Sequence, residues 1–269
     1  MRVVSIIAAL TLTFALAACG GGGGPSDLTL ASSPTTVPIP TAATTTTTPA
    51  DSTTGSAAGT PASVSLVAQA RRALLPVYPD AGSTHPVREL ENPWAAAKND
   101  PSVRVAQVFS VVAQQGDAWL KVVLPVTPSG TTGWIRAADV TVTRVPYGIR
   151  VGLRARHMTV FNRGRVRWEG AIAVGAAKTP TPTGRYSLRM ILKAPNPNTP
   201  YGPFAFGLAS RSQVITGFAG SDDEIAILGA RDASTLGRAV TRGSIRIPNA
   251  EITKLAAQLP LGTPVYIDP

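Results

Sequence analysis

Covalent and metal chemistry in proteins leans most on cysteine and histidine, and this chain has little of either. Its 269 residues hold one cysteine, Cys19, and two histidines, His85 and His157. A single thiol forms no disulfide within one molecule and supplies no cysteine-based metal site. No metal and no cofactor is therefore expected, and stability has to come from packed cores.

The setting of Cys19 explains why it is present. Arg2 is followed by an apolar run over residues 3–18, the pattern of an export signal. That run is shorter than the roughly 20 residues a membrane-spanning helix needs. It closes on Leu16-Ala17-Ala18-Cys19-Gly20, which resembles a bacterial lipobox. The resemblance implies cleavage of residues 1–18 and a diacylglyceryl thioether on Cys19, placing the protein outside the cytoplasm and anchored to the outer face of the cytoplasmic membrane. Residues 19–63 are Gly-rich, then rich in Thr, Pro, Ala and Ser, with residues 44–48 all threonine. Such a composition cannot bury a core, so this segment is expected to be a disordered tether. As a coil its root-mean-square span is about 35 Å.

Charge is unevenly distributed. The chain carries 25 Lys or Arg against 15 Asp or Glu, and from Tyr147 onward 16 against 7. A basic exported region suits anionic partners: peptidoglycan and other wall polymers, stem-peptide carboxylates, lipid headgroups. Nucleic acid is not expected there.

The elements beyond the tether read as mainly β. Short strands are expected over residues 73–78, 104–114, 119–124 and 133–135, separated by turn signals at Gly116-Asp117 and Ser129-Gly130. The stretch from Gln115 to Val122, with Gly133-Trp134-Ile135-Arg136, is similar to bacterial SH3-like modules. That resemblance implies a small β-barrel over residues 64–145, used for binding or spacing; Trp119 is read as a core residue. Strands follow over residues 149–153, 158–161 and 166–174, then an alternating strand carries Tyr186, Leu188, Met190 and Leu192. Asn162-Arg163-Gly164 supplies a hairpin turn. One helix is expected, capped by Asn249, with Ile252, Leu255, Ala256 and Leu259 on one face.

Residues 147–269 closely resemble the YkuD-type L,D-transpeptidase catalytic domain. The matching pieces are Val174-Gly175 with Thr179-Pro180-Thr181-Pro182-Thr183-Gly184, Tyr201-Gly202-Pro203 with Phe206-Gly207-Leu208, the stretch from Ile245 to Ile252, and the stretch from Leu259 to Val265. The fold implied is a β-sandwich-like domain with one C-terminal helix. In that family an imidazole deprotonates a cysteine, the thiolate attacks a stem-peptide carbonyl, and backbone N–H groups hold the oxyanion.

Here the frame is retained and the reacting groups are replaced. The family's Ile-His-Gly is Ile227-Leu228-Gly229, and its Thr-His-Gly-Cys-Ile-Arg is Thr241-Arg242-Gly243-Ser244-Ile245-Arg246. The resemblance thus puts a hydrocarbon, Leu228, at the base position and a hydroxyl, Ser244, at the nucleophile position. A cysteine thiol has a pKa of about 8.5, whereas a serine needs a positioned base to react at all. Arg242 stays protonated and cannot serve as that base. Asp222, Asp223, Glu224, Asp232 and Lys254 are the remaining candidates, which only geometry can decide between. No catalytic residue is expected. The candidate ligand contacts are Arg242, Gly243, Ser244 and Arg246, toward a stem peptide or a wall-synthesis partner. The alternative is an active cross-linking enzyme that works through Ser244.

Overall fold

The computed structural model describes residues 64–97, 100–126, 128, 130–194, 196–199, 201–211 and 224–269, together with the two-residue strand Thr29–Leu30. The expected signal, Cys19 and the rest of the tether lie outside the described residues. Thr29–Leu30 is a departure from the expected unbroken coil: it pairs antiparallel with Leu192 and Lys193.

The first unit is a five-stranded antiparallel sheet, ordered Val140–Val145, Ser65–Ala70, Val108–Gln115, Trp119–Val123, Thr132–Arg136. Period-two alternation builds it. Leu120, Val122 and Ile135 point into a core with Phe109, Leu75 and Val77, while Trp119, Lys121, Trp134 and Arg136 alternate outward. Trp119 is therefore half-buried rather than core. It meets Tyr78 edge-on at 5.1 Å and lies under the Arg136 guanidinium.

The single strand expected over residues 104–114 is two. Asp100–Val105 pairs back on Trp94–Ala97, and Val108–Gln115 joins the main sheet. The break falls at Ala106 and Gln107, where pairing switches partner. Gln107 is buried; its N–H donates to Asn92 Oδ1 (2.8 Å) and its side-chain amide to Glu91 O (3.0 Å). Asn92 Nδ2 donates in turn to Ala70 O and Arg72 O. Both roots of the Trp94–Ala97 and Asp100–Val105 pair are thus bonded to the main sheet or to each other.

In the second unit the strand order is Arg165–Ala171, His157–Asn162, Tyr147–Gly152, Pro264–Asp268, Gly184–Lys193, Phe204–Arg211, Glu224–Ala230, Ile245–Pro248. Beyond the first of these, Ala173 exchanges backbone hydrogen bonds with Arg246 (2.9 and 3.0 Å), drawing the two ends of the sheet together into a nearly closed barrel. Arg163 (φ 51°) and Gly164 (φ 75°) form the hairpin turn, both in the left-handed region that a type I′ turn requires. The helix α1, Asn249–Ala256, lays Ile252, Leu255 and Ala256 on a core that includes Ile225, Ile227, Ile245 and Ile247, and Leu259 just beyond it packs into the same core.

Two expectations fail for local reasons. Asn249 does not cap α1: the N-cap position is Pro248, with no side-chain bond, and the Asn249 amide oxygen is turned inward against Gly202 and Gly229. Nor do Tyr186, Leu188, Met190 and Leu192 share one face. The register shifts between Leu188 and Met190, a bulge that sends Tyr186 and Leu188 to the α1 side and Met190 and Leu192 to the other.

The two units are packed together. Val67, Val108 and Val145 of the first form a cluster with Tyr147 and Leu261 of the second. At the adjacent Gly262 (φ +83°) an added Cβ would sit 2.3 Å from Val67 Cγ1, so only glycine allows this approach.

Candidate functional site

The site positions fall on the last two strands of the second sheet and on the loop, residues 242–244, that leads into the final one. Glu224–Ala230 and Ile245–Pro248 run parallel, with Ile227 opposite Ile245 and Leu228 opposite Arg246. Ile227, Ile245 and Ile247 face α1, which by alternation puts Leu228, Ser244 and Arg246 on the other side.

Leu228 is 2% exposed and lies in an apolar cluster with Met190, Leu192, Ala205 and Ala226 of its own unit and Trp94 and Val105 of the first unit. The position that the resemblance assigns to a base is thus covered by hydrocarbon and indole. Ser244 is also buried. Among the described residues no side chain hydrogen-bonds its hydroxyl. Its carbonyl accepts from Thr241 Oγ1 at 2.5 Å, and Gly243 N–H donates to the same hydroxyl at 3.2 Å, so the loop is closed on itself. Gly243 has φ +103°, which suits a residue without a Cβ.

The Thr-Pro segment buttresses this loop from outside. Thr179 Oγ1 donates to Thr241 O (3.0 Å), and the buried Thr181 accepts from Gly175 N–H (2.9 Å). A Cβ on Gly175 would stand 2.3 Å from Thr179 O, which explains a glycine there.

Arg246 is half-buried. Its Nη1 donates to Gly229 O at 2.9 Å and its guanidinium lies 5.7 Å from the Tyr201 ring centre. Burial pushes the guanidinium below its ordinary pKa, and Tyr201 opposes the shift; the group remains a cation at any physiological pH. Gly229 N–H donates to Tyr201 O (3.0 Å). Arg246, Gly229 and Tyr201 therefore form one bonded unit that ties the loop of Tyr201 to the site strands. Arg242, by contrast, is exposed.

Two of the other candidate bases, Asp232 and Lys254, have different work. Asp232 accepts from Ser234 N–H at 2.9 Å, capping the short turn Ala233–Thr235, and these Ser234 hydrogen bonds hold its carboxyl below the usual carboxylate range. Lys254 pairs with Glu251 on the surface of α1 at 2.7 Å. Glu224 opens its strand opposite Arg211. Asp222 and Asp223 lie outside the described residues. His85 is exposed and contacts Thr84 at 3.0 Å; His157 opens its strand between Gly152 and Ala171.

The structure brings Leu228, Gly243, Ser244 and Arg246 together and leaves Arg242 at the rim. Sequence reasoning missed Trp94, Val105 and Arg189, which meet on the same face: the Arg189 guanidinium lies 3.2 Å from the Trp94 ring centre. The only sequence signal was an unassigned tryptophan after Asn92-Pro93.

Comparison with known proteins agrees on the second unit. The family model described as the L,D-transpeptidase catalytic domain, YkuD, matches residues 146–267. The chain is 34% identical over 125 residues to the L,D-transpeptidase YkuD of Bacillus licheniformis, covering 46% of this chain and 67% of that protein. It is 32% identical to its Bacillus subtilis counterpart over 124 residues, with the same shares covered. Among solved structures it resembles a cysteine-to-serine mutant of an Enterococcus faecium L,D-transpeptidase, at 22% identity and TM-score 0.33, over 45% of this chain and 49% of that one. The chain thus spans about half the length of that structure.

Proposed function

Residues 146–267 make this chain a member of the YkuD L,D-transpeptidase catalytic-domain family, and on that premise we propose that it is a membrane-anchored cell-wall lipoprotein whose transpeptidase domain binds rather than cross-links. Its partners are peptidoglycan stem peptides, other anionic wall polymers, or a protein of wall synthesis. Lipidation at Cys19 fixes it to the outer face of the cytoplasmic membrane, and the SH3-like first unit acts as a binding or spacing module beneath the second.

The observation that carries this reading is Leu228, 2% exposed under Trp94 where the resemblance expects a base. Acyl transfer through Ser244 would need a group to take the hydroxyl proton, and two of the candidates, Asp232 and Lys254, are engaged with Ser234 and Glu251. The exposed Arg242 and the basic character of the domain support an anionic partner.

Incubation with a carbapenem followed by intact-mass measurement tests the absence of catalysis: no adduct is expected. A stoichiometric adduct lost on Ser244→Ala would establish the active-enzyme reading instead. Saturable retention on purified sacculi at 1 M salt, where screening reduces the reach of charges to about 3 Å, tests specific binding; elution at low salt would reduce the interaction to net charge.

A further inference from the structure

We propose that the apolar hollow around Leu228 is the docking surface of this chain's own strand pair Trp94–Ala97 and Asp100–Val105, and that this pair closes the Leu228 hollow to external ligands, so that the binding proposed above falls to the exposed Arg242 rim and the basic surface.

The shape of the face follows from its register. Leu192, Ala205, Leu228 and Arg246 are successive partners across four strands, and Met190, Gly207 and Ala226 form the next row. Paired residues project to the same side. The centre of the surface therefore has almost no side chain, at Ala205, Gly207 and Ala226, while Met190 and Leu192 rise on one flank and Leu228 on the other. A shallow apolar hollow with a flat floor suits a planar ring. Trp94 (9% exposed) and Val105 (4%) are buried in that same cluster.

Leu228 and Trp94 depend on each other. An imidazole at 228 would be placed under an indole in a dry cluster, where an unpaired polar group is disfavoured. A leucine there without the indole would be a large apolar side chain facing water.

Two further features fit the strand pair to this place. The bulge between Leu188 and Met190 frees Arg189 from the regular alternation. Its guanidinium, on a residue only 7% exposed, stacks 3.2 Å from the Trp94 ring centre; removal from water strengthens a cation–π contact of this kind. The roots of the pair are held by the Asn92 and Gln107 hydrogen bonds to the first sheet, which is itself fixed to the second at Gly262. The Trp94 indole N–H has no hydrogen-bond partner among the described residues, so its contribution is its area and ring face, which phenylalanine would largely retain.

The test uses the mature chain carrying Cys19→Ala, so that Leu228→Cys provides the sole thiol. Maleimide modification is followed by intact mass, with the melting temperature of every variant recorded. Slow modification is expected while the strand pair is intact, at least about tenfold faster modification with Trp94→Ala or the milder Val105→Ala through local opening, and the slow rate again with Trp94→Phe. Soluble muropeptides are expected to leave the slow rate unchanged. The proposal is overturned if Leu228→Cys reacts like an exposed thiol with Trp94 present. It is equally overturned if the truncations change the rate only in step with global unfolding, or if muropeptides accelerate labelling, which would make the pair a displaceable lid over a working ligand site.

Discussion

At the scale of single residues, the decisive contrast is between groups that can be read in the chain and groups that only the fold can bring to them. Leu228, Arg242 and Ser244 were legible because they interrupt a run of matching neighbours, and a departure inside an otherwise intact motif marks its own position. Trp94 and Arg189 were not, because what matters about them is a contact between residues far apart in sequence. The environment of Leu228 therefore sets a condition on restoring chemistry. Leu228→His, Arg242→His and Ser244→Cys together are expected to give carbapenem acylation, detected by mass, only when Trp94→Ala is added; Ser244→Cys alone should stay unmodified for want of a base. Rapid acylation of the single variant would mean that another group already takes the proton. Gly229 is a second residue-scale test. A Cβ there would stand 2.3 Å from Asn249 Oδ1 and 3.0 Å from Gly202 Cα, so Gly229→Ala should lower stability in denaturant titration by about 1–3 kcal/mol, the usual cost of overpacking. An unchanged midpoint would show that Asn249 can move aside.

At the scale of elements, the second unit was read better than the first. Its first strands have β-branched and apolar runs with clear turns, and its helix has three apolar positions at helical spacing with Leu259 just beyond, so these were visible, whereas Phe204–Arg211 and Ile245–Pro248 were not read as strands and the run over 166–174 is two. The strand Trp94–Ala97 was invisible because three alanines carry weak β preference and the preceding Asn92-Pro93 reads as a turn. The bulge at Arg189 could not be read either: Tyr186, Leu188, Met190 and Leu192 keep perfect spacing in sequence, and only pairing with Phe206, Gly207 and Leu208 reveals that the face changes midway. The contact between units rests on an element of similar subtlety, the turn at Gly262. With φ +83° and a Cβ position 2.3 Å from Val67 Cγ1, Gly262→Ala combines backbone strain with a clash. Expected is a loss of about 1–3 kcal/mol together with increased hydrogen exchange in Ser65–Ala70 and Val108–Gln115. Exchange confined to the turn itself would mean that the two units hold together without this contact.

At the scale of the whole molecule, the uneven charge and the placement of Cys19 frame the proposal that the folded part stands off a membrane on a tether. Cys19→Ala is expected to move the protein from the membrane fraction to the soluble extracytoplasmic fraction without changing its melting temperature, because among the described residues Thr29–Leu30 is the first to pair, ten positions after it. Equal membrane retention of the variant would point to the apolar segment at residues 3–18, or to the basic surface, as the anchor. The architecture also carries a consequence for timing. Strand Pro264–Asp268 lies in the interior of the second sheet, between Tyr147–Gly152 and Gly184–Lys193, so neither neighbour has its edge satisfied until residue 268 is available. A chain being made or threaded outward therefore cannot close this barrel until some 120 residues, from Tyr147 to Asp268, are available. On the proposed export route, the same topology that makes assembly slow keeps the chain fit for passage.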